Sequence, residues 1–232
     1  MTTFALVHGA WHGGWCWERV AAELEARGHD AIAPDLPCED VSAGFEDYAD
    51  VIVAALEDAG DDVVVVGHSL GGLTIPHVAT RRPVRRLVFL CALLPAVGRS
   101  FADQFGLGEA MLDGGYAAGL ERDAQARSAW VDEALARRHF YADCDEADAH
   151  AAFAQLRPQA TDPYDDVFSL DTPAPVPASY IVCTEDRMVL PDWSRTAARE
   201  RLGVTPVELP GSHSPFLSRP AALADLLVSL AS

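Results

Sequence analysis

The sequence predicts an α/β protein: a mostly parallel sheet of about six strands, flanked by helices and carrying an inserted helical cap. Short apolar runs alternate with segments whose apolar residues recur at helical spacing. The run 63–66 is apolar at every position, which is typical of a strand buried on both faces. The alternation stops at about residue 94 and resumes at about residue 172. We therefore expect a core of residues 1–93 and 172–232 and an inserted cap of residues 94–171.

The core elements follow from the positions of these segments. Strands are predicted at residues 4–7, 31–34, 62–66, 86–91, 178–183 and 204–209. Helices are predicted at residues 15–27, 45–59, 73–80, 191–202 and 215–230. Strands that alternate with helices indicate a parallel sheet with helices on both faces.

The inserted segment has a different pattern. It carries its own aromatic residues, and helices are predicted in it at residues 124–138 and 146–156. Pro95 bounds it on one side and a cluster of prolines at 173, 175 and 177 on the other. These features indicate a cap on the core rather than a separate domain.

The charge of the chain argues against two kinds of partner. Of 232 residues, 17 are basic, all of them arginine, and 35 are acidic, so that the formal net charge is −18. Such a chain is expected to repel nucleic acid and anionic membranes. No apolar run approaches the length of a membrane span. We expect a small-molecule substrate as the partner, and the cap and the apolar last helix are candidate surfaces for a homodimer.

The N-terminus and the cysteines favour a cytoplasmic location. Residues 1–4 contain no basic region, and a strand is predicted almost at once, so no signal peptide is expected. The five cysteines form no Cys-x-x-Cys pair. Cys91 and Cys183 lie in predicted strands and are expected to be small core residues. This pattern favours reduced thiols in the cytosol over a disulfide framework.

One motif suggests a catalytic nucleophile. The valine run 63–66 leads directly into Gly67-His68-Ser69-Leu70-Gly71, and a predicted helix follows. Gly-x-Ser-x-Gly between a strand and a helix is the context of a nucleophile elbow, in which the serine sits on a sharp turn with its hydroxyl exposed. A plain glycine turn is the alternative, because glycine and serine are common turn residues.

A serine hydroxyl needs a base to take its proton, and the base needs an acidic partner. In open parallel sheets such groups lie just after the carboxyl ends of strands. Ser69, Asp186 and His213 all follow predicted strands and occur in the order Ser, Asp, His. Glu185 and Asp192 are alternatives for the acid, and a surface loop without a role is the alternative for His213.

Further residues are assigned from the loops. The oxyanion of an acyl-transfer reaction needs two N–H donors, and we expect them at Ala10, after the first strand, and at Leu70, after the nucleophile. His12 and Trp130 are candidates for substrate contact, although core packing is an alternative for both. His8 and His68 are expected to brace the loop and the elbow. No metal site is predicted, because the histidines are scattered and no His-x-x-x-His pairs with a carboxylate.

Four segments together resemble the plant methylesterase and hydroxynitrile lyase branch of the α/β-hydrolases, with its bacterial relatives. They are residues 8–15, 67–72, 183–191 and 211–216. The resemblance implies the α/β-hydrolase fold, Ser69 as nucleophile, Asp186 as acid and His213 as base. It also implies oxyanion donors at Ala10 and Leu70, no cofactor, and a site between sheet and cap.

The resemblance also separates two reactions. The lyases of this branch carry threonine where this chain has Gly9 and lysine where it has Ser214. Both departures favour ester hydrolysis. We therefore expect a serine esterase that acts on a small to medium carboxylic ester through an acyl-enzyme. A hydroxynitrile lyase, a hydrolase of lactones or carbon–carbon bonds, and a ligand-binding protein on the same scaffold are the alternatives.

Overall fold

The computed structural model describes residues 1–105 and 110–231. Its strands are, in chain order, β1 (Thr3–Val7), β2 (Asp30–Ile32), β3 (Val63–His68), β4 (Arg86–Leu90), β5 (Leu120–Arg122), β6 (Ser128–Trp130), β7 (Ala178–Cys183) and β8 (Val207–Leu209). Six of them form a parallel sheet in the order β2-β1-β3-β4-β7-β8, and β5 and β6 form a separate antiparallel hairpin. The predicted parallel sheet of six strands is confirmed.

Helices cover this sheet. They are α1 (Glu18–Ala26), α2 (Phe45–Ala55), α3 (Gly71–Arg81), α4 (Phe101–Phe105), α5 (Glu133–Phe140), α6 (Glu146–Phe153), α7 (Pro191–Leu202), α8 (Pro215–Ser218) and α9 (Pro220–Ala231). Every residue of β1 and β3 is buried. Because successive side chains of a strand point to opposite faces, both faces of the sheet are covered here. Among the helices of the described ranges, none has the length and apolar character that crossing a membrane requires.

The strand order places a crevice at the ends of β1 and β3. β1 lies between β2 and β3, so the chain first continues to one side of β1 and then returns to pair on the other side. Parallel strands end at the same edge of the sheet, and the loops that follow two such strands separate from each other. Ligands of open α/β sheets bind in this crevice. The loop at Gly9 and the turn at Ser69 both lie there.

The segment between β4 and β7 contains α4 to α6, the β5–β6 hairpin and two 3-10 helices, at Gly114–Gly119 and Asp162–Asp165. None of these described elements joins the parallel sheet. They belong to the segment for which the sequence predicts an inserted cap, and residues 106–109 of that segment lie outside the described residues.

The prediction of a helix over residues 124–138 is wrong in its first half. The β5–β6 hairpin occupies this region, and α5 begins only at Glu133. The carboxylate of Asp123 accepts hydrogen bonds from the backbone N–H and the Nε of Arg127, and Ala126 has a φ of 61°. Aspartate favours such turns because its side chain bonds the nearby backbone. The turn and the strand pairing outweigh the helix propensity of the local residues.

The last predicted helix, 215–230, is divided. α8 ends at Ser218 and α9 begins at Pro220, and Arg219 between them has the non-helical angles φ −143° and ψ 47°. Proline lacks the N–H that a continuous helix would use and restricts the residue before it. The break turns the chain just after the segment that carries His213.

The five cysteines are free thiols, and all are buried. Cys91 and Cys183 are at most 1% exposed. The prediction that both are core residues is confirmed.

Candidate active site

Ser69 sits on a sharp turn between β3 and α3. Its φ is 51°, a left-handed conformation that is uncommon for residues other than glycine. Its N–H donates to the Leu90 carbonyl at 3.1 Å, which fixes the turn to the neighbouring strand. A Cβ at Gly67 would lie 2.9 Å from the Gly71 carbonyl oxygen, so a side chain there would force the strand and the helix apart. A sharp turn between a strand and a helix is the geometry of a nucleophile elbow, which the Gly-x-Ser-x-Gly motif predicts.

His213 and Asp186 form a buried pair. The Nδ1–H of His213 donates to Oδ2 of Asp186 at 2.8 Å, because a carboxylate can only accept. The other oxygen of Asp186 accepts from the backbone N–H groups of Met188 at 2.7 Å and Val189 at 3.0 Å. His213 is 0% exposed and Asp186 is 6% exposed. The carboxylate is therefore held in place by the backbone and aimed at the imidazole.

The alternatives for the acid lie elsewhere. Glu185 is exposed, and the side chain of Asp192 is 99% exposed, where it pairs with Arg195. Of the three carboxylates that the sequence offers as candidates for the acid, Asp186 is the one that bonds His213.

The second ring nitrogen of His213 is free. With Nδ1 protonated toward Asp186, Nε2 carries a lone pair, and it is buried without a hydrogen-bond partner among the described residues. A buried polar atom without a partner is uncommon in folded proteins and calls for an explanation. An unprotonated, oriented nitrogen is what a general base requires.

Neighbouring rings fix the position of His213. His68, the residue before Ser69, donates its Nε2–H to the His213 carbonyl at 2.9 Å, and the two ring centroids lie 4.5 Å apart. The ring of Phe140 also stacks on that of His213, with the centroids 5.7 Å apart. Burial lowers the pKa of His68 well below its usual value, so this ring stays neutral. His68, which was expected to brace the elbow, thus also holds His213 in position.

Ala10 and Leu70, the two expected oxyanion donors, line the same cavity as Ser69. Within the described ranges, the backbone N–H of neither residue donates a hydrogen bond. The carbonyl of Ala10 accepts from Nδ1–H of His12 at 2.9 Å, and the Nε2 of His12 accepts from the hydroxyl of Tyr141 at 2.9 Å. His12 therefore fixes the loop through the Ala10 carbonyl, and the Ala10 N–H remains available to a ligand. Burial lowers the pKa of His12 to about 3, so the ring is neutral at ordinary pH.

His8 supports the loop in the same way. Its Nδ1–H donates to the Gly9 carbonyl at 2.9 Å, and its Nε2 accepts from the Leu36 N–H at 3.0 Å. Burial lowers its pKa to about 4. Neither His8 nor His12 is among the described residues that line the cavity.

The cavity next to Ser69 measures about 350 Å³. Its described lining residues are Ala10, Trp11, Ser69, Leu70, Leu93, Phe101, Leu112, Tyr116, Ala117, Leu120, Arg122, Ser128, Thr161, Tyr164 and Met188. The wall is mostly apolar with a few polar groups, and the volume lies within the range of small-molecule sites.

Trp130, the second candidate for substrate contact, lies behind the wall of this cavity. It is 7% exposed and packs against Trp11, with the ring centroids 5.9 Å apart. Trp11 itself lines the cavity. Trp130 therefore supports the wall through its neighbour.

The sequence assigned no role to several lining residues, among them Trp11, Arg122 and Tyr164. Trp11 could have been found, because it follows the proposed oxyanion donor directly. Arg122 could not, because the hairpin that presents it was predicted in part as a helix. A second cavity, of about 390 Å³, shares Phe101 with the first but contains none of the predicted site residues.

One group of described residues has metal-ligand chemistry. The thiol of Cys91 lies with ligand atoms of Asp186 and His213 within a span of 4.8 Å. Asp186 and His213 are engaged with each other there, and burial raises the pKa of the Cys91 thiol well above its usual value. A metal would have to displace these protons, and the arrangement does not suit a resident ion.

Comparison with known proteins agrees with this geometry. A family model described as "Alpha/beta hydrolase family" matches residues 4–226. Esterase PIR7B of Oryza sativa subsp. japonica is 42% identical over 108 residues, which span 41% of this chain and 40% of the rice protein. Methylesterase 2 of Arabidopsis thaliana is 27% identical over 98% of this chain and 95% of its own length.

Solved structures give the same fold. A pyrethroid hydrolase from Sphingobium faniae JZ-2 superposes with a TM-score of 0.85, at 28% identity over 99% of this chain and 97% of that one.

Proposed function

Since the chain belongs to the alpha/beta hydrolase family, we propose that it is a serine esterase acting on small to medium carboxylic esters. One observation carries the proposal: His213 has its Nδ1 bonded to a buried carboxylate and its Nε2 unpartnered, beside the turn that holds Ser69. This is the arrangement in which an imidazole can take a proton from a serine. Relatives named esterase and methylesterase support the same reaction class.

The first half of the reaction forms an acyl-enzyme. Ser69 Oγ attacks the ester carbonyl carbon while Nε2 of His213 takes its proton. The oxyanion of the tetrahedral intermediate accepts hydrogen bonds from the N–H groups of Ala10 and Leu70. Asp186 stabilises the imidazolium. Nε2–H then protonates the leaving oxygen, and the alcohol departs.

The second half releases the acid. A water molecule attacks the acyl carbon, and Nε2 of His213 takes its proton. The same two N–H groups hold the second oxyanion. When this intermediate collapses, His213 returns the proton to Ser69, and the carboxylic acid leaves.

Two positions favour ester hydrolysis over the lyase reaction. A Cβ at Gly9 would lie 2.7 Å from the Cβ of Ser69, so the loop has no room for a threonine as it stands. Ser214 is 0% exposed, and a lysine in its place would have to bury its charge. Gly9 has no side chain that could bond a cyanohydrin, and Ser214 brings no positive charge to a departing cyanide.

The proposal is tested with a fluorophosphonate probe and intact-mass measurement. The wild-type protein is expected to gain one adduct, and Ser69→Ala to gain none. His213→Ala is expected to react at least roughly a thousandfold more slowly, because the base is missing. Ser42→Ala, at an exposed serine, serves as the control and keeps the adduct. Ester hydrolysis by a pure, folded Ser69→Ala sample would contradict the mechanism.

A further inference from the structure

The polar groups of the active-site cavity are concentrated on its cap side. Tyr116 belongs to the 3-10 helix Gly114–Gly119, Arg122 to β5, and Tyr164 to the 3-10 helix Asp162–Asp165. All three line the cavity that contains Ser69. Across residues 1–105 and 110–231, their hydroxyl and guanidinium groups make no hydrogen bond or ion pair, so these donors are available to a ligand.

Arg122 is the one charged residue among the described lining residues. The hairpin explains why no carboxylate of the described residues neutralises Arg122. Leu120 and Arg122 lie on one face of β5 and line the cavity together, whereas Glu121 between them points to the opposite face. The nearby Asp123 is already bonded to Arg127 at 2.7 Å. A chain of net charge −18 thus keeps at this cavity a cation that has no partner among the described residues.

The two phenols line the same cavity as this cation. Burial raises the pKa of Tyr116 and of Tyr164, and the nearby Arg122 opposes the shift at both. Both hydroxyls therefore stay protonated and can donate. Three donors on one side of a cavity, with no acidic residue among its described lining, suit an anionic acceptor.

We propose that the substrate is an ester that also carries a free carboxylate on its acyl part, and that Arg122, Tyr116 and Tyr164 bind this carboxylate. The inference rests on the proposed esterase function and names its substrate class. A guanidinium matches the planar carboxylate with two parallel N–H groups. The apolar wall between sheet and cap, which includes Leu112 and Leu120, holds the hydrocarbon chain between the two ends of the substrate.

The experiment compares monomethyl and dimethyl esters of the same dicarboxylic acids over a range of chain lengths. Each pair has the same scissile bond and differs in one remote charge. At the best length, kcat/KM for the monomethyl ester is expected to exceed that for the dimethyl ester by about tenfold, because a hydrogen-bonded charge contributes on this scale. The preference should weaken with added salt.

Variants assign this preference to the cavity. In Arg122→Gln the ratio of the two kcat/KM values is expected to fall to about one, with the change mainly in KM. Tyr116→Phe and Tyr164→Phe should each lower this ratio only in part. Arg138→Gln removes the same charge from an exposed position on α5 and should keep the wild-type ratio.

Binding without turnover gives a second readout. Ser69→Ala protein is titrated with the monomethyl ester by calorimetry, and the affinity is expected to fall about tenfold when Arg122→Gln is added. Preference for the dimethyl ester at every length, or equal ratios in Arg122→Gln and the wild type, would overturn the inference. Hydrolysis of neither ester would instead contradict the esterase function, which the fluorophosphonate assay tests separately.

Discussion

At the scale of single residues, Asp186 divides its two carboxylate oxygens between the backbone and His213. Oδ1 accepts from the N–H groups of Met188 and Val189, which leaves Oδ2 for the imidazole at 2.8 Å. The backbone thus decides which way the carboxylate faces. Glu185, one position earlier, is exposed, and its carboxylate bonds neither a backbone N–H nor an imidazole of the described residues. Adjacent residues of the same chemistry therefore have different roles.

Asp186→Asn is expected to lower kcat by roughly 10³ to 10⁴-fold. The amide can present its NH₂ group to Nδ1 and so favour the tautomer in which Nε2 carries the proton, which removes the base. The measurement is hydrolysis of a neutral carboxylic ester, with circular dichroism to establish folding. Glu185→Gln is the matched control and should retain activity. A loss of less than tenfold in Asp186→Asn would show that His213 does not depend on this carboxylate.

Gly9 is constrained by contact rather than by backbone angle. A Cβ there would lie 2.7 Å from the Cβ of Ser69 and 3.1 Å from Nδ1 of His68. Gly9→Ala is therefore expected to displace the nucleophile and to lower kcat by about a hundredfold, as small misplacements do. Gly60→Ala is the control, because no atom lies within 4 Å of its Cβ position. Steady-state kinetics of both variants would decide, and equal rates would contradict the contact.

At the scale of elements, the elbow at Ser69 and the β5–β6 hairpin differ in how far they could be predicted. The elbow follows from local signals, a valine run and closely spaced glycines, and these predicted it correctly. The β5–β6 hairpin depends on a turn around Asp123 and on pairing between strands of three residues each. Short strands carry little periodicity, and the alanines nearby favour a helix. The contact of the hairpin with the cavity was therefore invisible in the sequence.

Ala126 gives this hairpin a measurable strain. Its φ is 61°, which disfavours a side chain, while Ala124 in the same turn has no positive φ. Ala126→Gly is expected to raise the free energy of unfolding by about 0.5–1 kcal/mol, because glycine adopts this conformation freely. Ala124→Gly is expected to leave it unchanged or to lower it. Urea denaturation followed by tryptophan fluorescence measures both, and a lower stability of Ala126→Gly would refute the assigned turn.

At the scale of the whole molecule, the sheet order brings together groups from distant parts of the chain. Ala10 follows β1, Ser69 follows β3, Asp186 follows β7 and His213 follows β8. All four strands are parallel, so these groups meet at one edge. Three further histidines, His8, His12 and His68, are buried beneath the site as neutral rings. The stability of the whole chain therefore depends on pH.

The direction of that dependence follows from the lowered pKa values. His12 has a folded pKa of about 3 and His8 of about 4, against about 6.5 in an unfolded chain. As the pH falls below 6.5, the unfolded chain takes up these protons and the folded chain does not. The free energy of unfolding should thus decrease between pH 6 and pH 4, by about 1.4 kcal/mol per pH unit for each such histidine.

The histidine contribution is separated by substitution. His12→Gln is expected to make the decline shallower by about one proton, measured as urea unfolding at pH 6, 5 and 4. His150→Gln, at a side chain that is 71% exposed, is the control. An unchanged slope in His12→Gln would contradict a buried neutral ring at this position.

The sequence by itself determined the fold class, the elbow at Ser69 and the order of the chemical groups along the chain. These depend on local signals: burial on both strand faces, glycines around a tight turn, and polar residues after strands. Only the tertiary structure decided which carboxylate bonds His213, that His12 and Trp130 stand behind the cavity, and that Arg122 faces it. Hydrogen bonds and burial between residues far apart in the chain set these features, and no local pattern encodes them.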